Sequence, residues 1–129
     1  MTASNVMTAE DHDPRPTAID DEHLSRMTLG DRRLEREVLE IFVRQCTIIL
    51  ARITAAEPAV AAAAAHTLIG SARGIGAWRV ARAAEHLEQT AARVGGGHAI
   101  DVAVHELEIA AIEASAAIGA RLTEAAAAR

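Results

Sequence analysis

Between Asp31 and Ala55, apolar residues return every three or four positions. Leu34, Val38, Ile41, Phe42, Ile49 and Ile53 make one stripe, and Leu39, Val43, Cys46 and Leu50 widen it. That period keeps side chains on one face of an α-helix, and Asp31 is a favourable residue to cap its start. Apolar residues on both edges predict neighbours on two sides. Pro58 suits the first position of the next helix, where a missing N–H leaves nothing unpaired, and the pattern carries that helix to about Ile75, with Gly74 and Gly76 marking its end. Val80, Ala84, Leu87, Ala91 and Val94 space another helix from Trp78 to about Val94. Gly95, Gly96 and Gly97 read as a turn. Val104, Leu107, Ala111, Ile118 and Leu122 then line a last helix from about Asp101 to Ala126. Ahead of these, Ala18 to Met27 reads as a short helix with Asp20, Asp21 and Glu22 in its first turns, where the helix dipole favours negative charge, and Gly30 ends it. Residues 1–17 are polar and acidic and carry Pro14 and Pro16, which predicts a disordered tail ahead of a folded unit over 18–127.

Four long amphipathic helices joined by short glycine or proline links predict an all-α fold. The expected form is an antiparallel up-down-up-down four-helix bundle with a short N-terminal extra helix. Composition agrees: 50% of the 129 residues are hydrophobic but only 2% are aromatic, and alanine supplies much of the apolar share. A chain of this length forms one small domain. The net charge of −5 gives nucleic acid no basic surface to bind. All thirteen basic residues are arginines. The single cysteine, Cys46, falls on an apolar stripe and is expected in the core; it excludes an intramolecular disulfide. The N-terminal segment lacks the basic-then-apolar order of a secretory signal, and no segment approaches eighteen strongly apolar residues. The expected location is the cytoplasm, with no membrane partner.

The third helix holds the candidate chemistry. Its inward stripe reads Ala61, Ala64, Leu68, Ala72 and Ile75, and His66 points about 200° from Leu68, toward solvent. On the same outer side come Ala62, Ala63, Ile69, Gly70 and Arg73. Gly70 costs roughly 1 kcal/mol relative to alanine in a helix interior. Small residues one turn from the imidazole let another surface approach it. An accessible neutral imidazole is a nucleophile, and a phosphoryl group is a natural electrophile for it.

The segment "AHTLIGSARGIGA" resembles the phosphoacceptor motif of histidine-containing phosphotransfer (HPt) domains, of the form A-H-x-L-K-G-S-A-x-x-I-G-A. Ala65, His66, Leu68, Gly70, Ser71, Ala72, Ile75, Gly76 and Ala77 match. A looser likeness extends over residues 20–125, through "HLSRMTLGD" and "HLEQTAARVG". The resemblance implies a phosphorelay intermediate in a two-component system. His66 would accept a phosphoryl group from a receiver-domain aspartate and pass it to another receiver, with Gly70 giving the receiver access. The implied partners are receiver domains of response regulators or hybrid histidine kinases. Mg²⁺ is expected on the receiver, so this chain needs no cofactor or metal of its own, has no ATP-binding or autokinase activity, and is expected to act as a monomer.

Ile69 departs from the family pattern, standing where a lysine usually helps to neutralise the phosphoryl group. Arg73, seven residues beyond His66 and roughly 10 Å along the axis, is the candidate replacement as phosphate stabiliser. Glu88, on the edge of the fourth helix's apolar stripe, is the candidate to orient His66 by accepting the Nδ1 proton. Arg73, Arg79, Arg82 and Arg93 outnumber Glu85 and Glu88 in this region, a balance suited to the acidic pocket of a receiver. The Ile69 departure also favours an alternative function: a docking module that binds a receiver or kinase without carrying phosphate. His12, His23, His86, His98 and His105 do not fall into the Glu-x-x-His pattern of a carboxylate-bridged metal bundle.

Overall fold

The computed structural model describes residues 18–54, 57–93 and 97–127, all helices, turns or short links. The helices are α1 (Asp21–Met27), α2 (Arg32–Thr54), α3 (Pro58–Ile75), α4 (Trp78–Ala92) and α5 (Gly97–Ala127). No strand occurs among the described residues. The expected tail over 1–17 and the turn glycines Gly95 and Gly96 lie outside them. Gly97 is a correction: it opens α5, which starts four residues before the expected Asp101. The apolar periodicity begins only with Ile100 and Ala103, so the polar first turn carried no signal.

α2 packs on α3, α3 on α4, α4 on α5 and α5 on α2, while α1 packs on α3. The four long helices therefore form a ring in which α3 and α5 are diagonal. Cross-helix pairs fix the register: His86 meets Glu106 and Arg79 meets Glu113 between α4 and α5, and Glu35 meets Arg121 between α2 and α5. The core is built from Phe42, Leu39, Leu68, Leu87, Leu107, Ile118 and Val80, all fully buried. Each fully buried Leu, Ile, Val or Phe contributes about 1.5–3 kcal/mol from removal of its apolar surface from water.

α3 and α4 form the most extensive helix pair. Their buried sides are rich in small residues: Ala61, Ala64, Ala65 and Ala72 on α3, Ala77 just ahead of α4, and Ala81 and Ala84 on α4. Small side chains let two helix axes approach, which brings side chains on their outer edges within reach of one another.

Burial on α2 corrects the expected stripe. Leu39, Phe42, Cys46, Ile49 and Ile53 are buried together with Glu35, whereas Leu34 and Ile41 are exposed. The sequence shows a broad apolar arc, and the positions of α3 and α5 select which part of it is covered. On α4 the inner face is Val80, Ala81, Ala84, Leu87 and Thr90, with Ala91 half-buried and Val94 outside the described residues. On α5 it is Ala103, Leu107, Ala111, Ala114 and Ile118, with Val104 and Leu122 packed at its edges. Cys46 is buried, and desolvation pushes its thiol up to about 11.

α1 is fastened to the α3–α4 corner by its cap. Oδ1 of Asp20 accepts from the His23 amide at 3.0 Å, Oδ2 accepts from Trp78 Nε1 at 2.9 Å, and the Asp20 amide donates to the Gly76 carbonyl at 2.9 Å. His23 stacks at a tilt on Trp78, ring centroids 4.8 Å apart, and its Nε2–H donates to the Arg73 carbonyl at 2.9 Å. Gly76 makes this corner possible: its φ is +80°, and a Cβ there would lie 2.9 Å from the Cβ of Asp20 and 3.0 Å from its carbonyl oxygen. The left-handed Gly76 also closes α3, with the Ala77 amide donating to the Ala72 carbonyl at 2.8 Å.

Candidate functional site

His66 stands on the outer side of α3, its side chain 74% exposed. The alanines at 64 and 65 and Leu68 bury the opposite side of that turn and fix the direction of the ring. From α4, Oε2 of Glu88 lies 2.8 Å from His66 Nδ1. An ionised carboxylate only accepts, so Nδ1 is the donor and the neutral ring keeps its lone pair on Nε2. Among the described residues Nε2 has no hydrogen-bond partner and faces solvent.

Gly70, one turn from His66, is exposed, and a Cβ built there would meet nothing within 4 Å. No packing within the chain requires this glycine. It keeps the surface beside the imidazole flat.

Ile69 is corrected from the outer face to the core: it is only 6% exposed. It sits about 100° from Leu68 around α3. α4 covers that flank, so the apolar arc of α3 is wider than a single stripe.

Arg73 is exposed on the outer side of α3, and its guanidinium is in contact with the carboxylate of Glu85 on α4. Glu85 and Glu88 thus present two carboxylates along one edge of α4, one to Arg73 and one to His66. Residue typing missed Glu85 as a partner of Arg73, because the pairing depends on how α3 and α4 are offset. The positive balance expected around His66 is also reduced: besides Arg73 with Glu85, Arg79 pairs with Glu113 at 3.2 Å.

Two open clefts lie elsewhere. One of about 300 Å³ is lined by Arg32, Glu35, Leu39, Arg121 and Leu122, and one of about 390 Å³ by Ile53, Pro58, Ile100, Val104 and His105 among others. Neither includes His66. Among the described residues no three His, Cys, Asp or Glu side chains gather as a metal would need, and no helix is long and apolar enough to cross a membrane.

Among the described residues carboxylates reach Nδ1 of two imidazoles from a neighbouring helix, His66 from Glu88 and His86 from Glu106, and His66 is the more exposed of the two. A model of the Hpt domain family matches residues 37–128, and the chain belongs to that family. Hpt domains are phosphotransfer modules of two-component systems and interact with receiver domains. Comparison with curated proteins and with solved structures finds no match.

Proposed function

We propose that this chain is a phosphorelay intermediate, with His66 taking a phosphoryl group from the aspartate of one receiver domain and delivering it to another. The observation that carries this is the His66–Glu88 pair, with Nδ1 held at 2.8 Å and Nε2 open to solvent. The Nε2 lone pair forms the N–P bond as the P–O bond to the receiver's aspartate breaks, and that aspartate leaves as a carboxylate. The proton stays on Nδ1, so the phosphorylated ring is cationic and Glu88 faces it with a negative charge. Onward transfer reverses these bond changes on the next receiver. Transfer of this kind depends on alignment and on charge neutralisation. The receiver supplies Mg²⁺, and this chain contributes no metal, ATP site or kinase activity.

Docking is supported by the surface next to His66. Leu34, Ile41 and Ile48 recur at seven-residue intervals on α2 and are 38%, 52% and 58% exposed. They lie on the flank of α2 away from the Arg32–Leu39 side that meets α5 across the 300 Å³ cleft, hence beside the small outer residues of α3, Ala63, Thr67 and Gly70. A receiver seated there covers apolar surface while its active site reaches Nε2. Arg73 then leaves Glu85 to meet the phosphoryl group in place of the lysine that Ile69 replaces.

The scaffold for this is an up-down-up-down bundle with α1 as a short N-terminal addition. The pairs His66–Glu88 and Arg73–Glu85, then Arg79–Glu113 and His86–Glu106, favour alternating directions, since residue numbers rise on one helix as they fall on the next. The bundle works as a monomer in the cytoplasm, where receiver domains and their kinases meet it.

The test is incubation with a phosphorylated receiver and Mg²⁺. Acid-labile phosphate should appear on the wild type and be absent from His66→Ala. Receiver binding without labelling, across a panel of receivers, would instead assign the chain to the docking-only function, which the missing lysine at Ile69 favours.

A further inference from the structure

Apolar residues run along two opposite sides of α5, although the bundle covers only one. The covered side is Ala103, Leu107, Ala111, Ala114 and Ile118. Opposite it, Val102, His105, Ile109, Ile112, Ala116 and Gly119 form an exposed stripe, with Val102, Ile109 and Ile112 at 41%, 45% and 67%. Ile109 points about 200° from Leu107 around the helix. The alternating steps of three and four are the a and d register of a two-stranded coiled coil, and seventeen steps of rise make the stripe roughly 25 Å long. A helix apolar on both sides is ordinarily covered on both.

The rim of the stripe says what covers it. Asp101 and Glu108 flank one side, and Glu106 and Glu113 the other. Against these four carboxylates stand Arg79, which reaches Glu113 at 3.2 Å, His86 on Glu106 at 2.9 Å, and His105 at 3.7 Å from Glu108. With the histidines neutral the rim stays acidic. A second copy of this chain would set carboxylates against carboxylates in either orientation, and an anionic lipid surface would be repelled in the same way.

We propose that the outer face of α5 is a docking surface for an amphipathic helix of another protein, apolar along its a and d positions and basic along both flanks. α5 lies diagonally across the ring from α3, so this face is turned away from His66. The bound helix tethers the domain to a larger assembly while the imidazole stays open; that consequence rests on the phosphotransfer function, whereas the binding itself does not.

The test uses two labelled synthetic peptides of four heptads, with Leu at a and d and either Lys or Glu at e and g, titrated with the full chain and followed by fluorescence anisotropy. The Lys peptide should bind the wild type, at least tenfold more weakly the Ile109→Gln/Ile112→Gln variant, and more weakly the Asp101→Lys/Glu108→Lys variant, which should gain affinity for the Glu peptide. Asp101, Ile109 and Ile112 are exposed and Glu108 is half-buried, and circular dichroism should show unchanged helix content. Failure of the Lys peptide to bind, equal binding to the glutamine variant, or no discrimination between peptides would overturn the proposal. So would sedimentation of the wild type as a dimer that the glutamine variant dissociates, because the occupant would then be a second copy. Labelling of His66 by a phosphorylated receiver should be unaffected by both variants, so a failure of phosphotransfer is distinguishable from a failure here.

Discussion

Glu85 and Glu88 are three residues apart on α4 and face different partners on α3: Arg73 for the first, His66 for the second. A carboxylate against Nδ1 fixes the tautomer, and one against a guanidinium fixes where a long, otherwise mobile side chain rests. Arg73→Ala is expected to slow transfer to His66 several-fold and to shorten the life of the phosphorylated form. Glu85→Gln, which releases the guanidinium, is expected to lengthen it. Both are read by following acid-labile phosphate on the chain over time, and unchanged decay in both variants would leave Arg73 as a helix-pairing residue only. The direction of His66 toward solvent was legible from the spacing of Leu68 and the alanines around it. The burial of Ile69 and the attachment of Arg73 to Glu85 were not, since both depend on where α4 lies.

At the level of elements, two glycines six residues apart, Gly70 and Gly76, do opposite things. Gly70 is in open space within a helix, so Gly70→Ala is expected to stabilise the fold by about 0.5–1 kcal/mol in a urea melt. Gly70→Gln, which fills the approach to the imidazole, is expected to slow phosphotransfer at least tenfold without loss of stability. Gly76 has no such freedom: alanine there meets Asp20 and adopts φ +80°, and Gly76→Ala should cost about 1–3 kcal/mol. The same corner gives acid sensitivity. The Trp78 indole hydrogen bond is the largest influence on Asp20 and, with the His23 amide and charge, holds its carboxyl below the usual aspartate value. A depressed folded-state pKa adds stability above the unfolded value, about 4, and loses it as pH falls through the folded value. Asp20→Asn, which keeps a capping side chain, should therefore flatten the loss of thermal stability between about pH 5 and pH 2.

In the whole molecule, Arg121 joins three elements, touching Asp21 at the start of α1 and reaching Glu35 on α2 at 3.6 Å from its place on α5. Glu35 is buried, so Arg121→Ala leaves a carboxylate without its counter-charge and is expected to cost about 1–3 kcal/mol, much of it regained when Glu35→Gln is added. Denaturant melts of the two single variants and the double variant measure this. The all-helical class, the boundaries of α2, α3 and α4 to within a turn, and the outward direction of His66 follow from residue spacing alone, because helix periodicity is a local property of the chain. Spacing could not say which edge of a broad apolar arc is covered, and so mistook Leu34 and Ile41 for core and placed Ile69 outside. It also could not join Asp20 to Trp78 and Gly76, Arg73 to Glu85, or Arg121 to Glu35. Each of those contacts spans separate helices, and only the offset and ring order of packed helices, set by the small residues between α3 and α4 and the larger ones elsewhere in the core, bring such groups within reach.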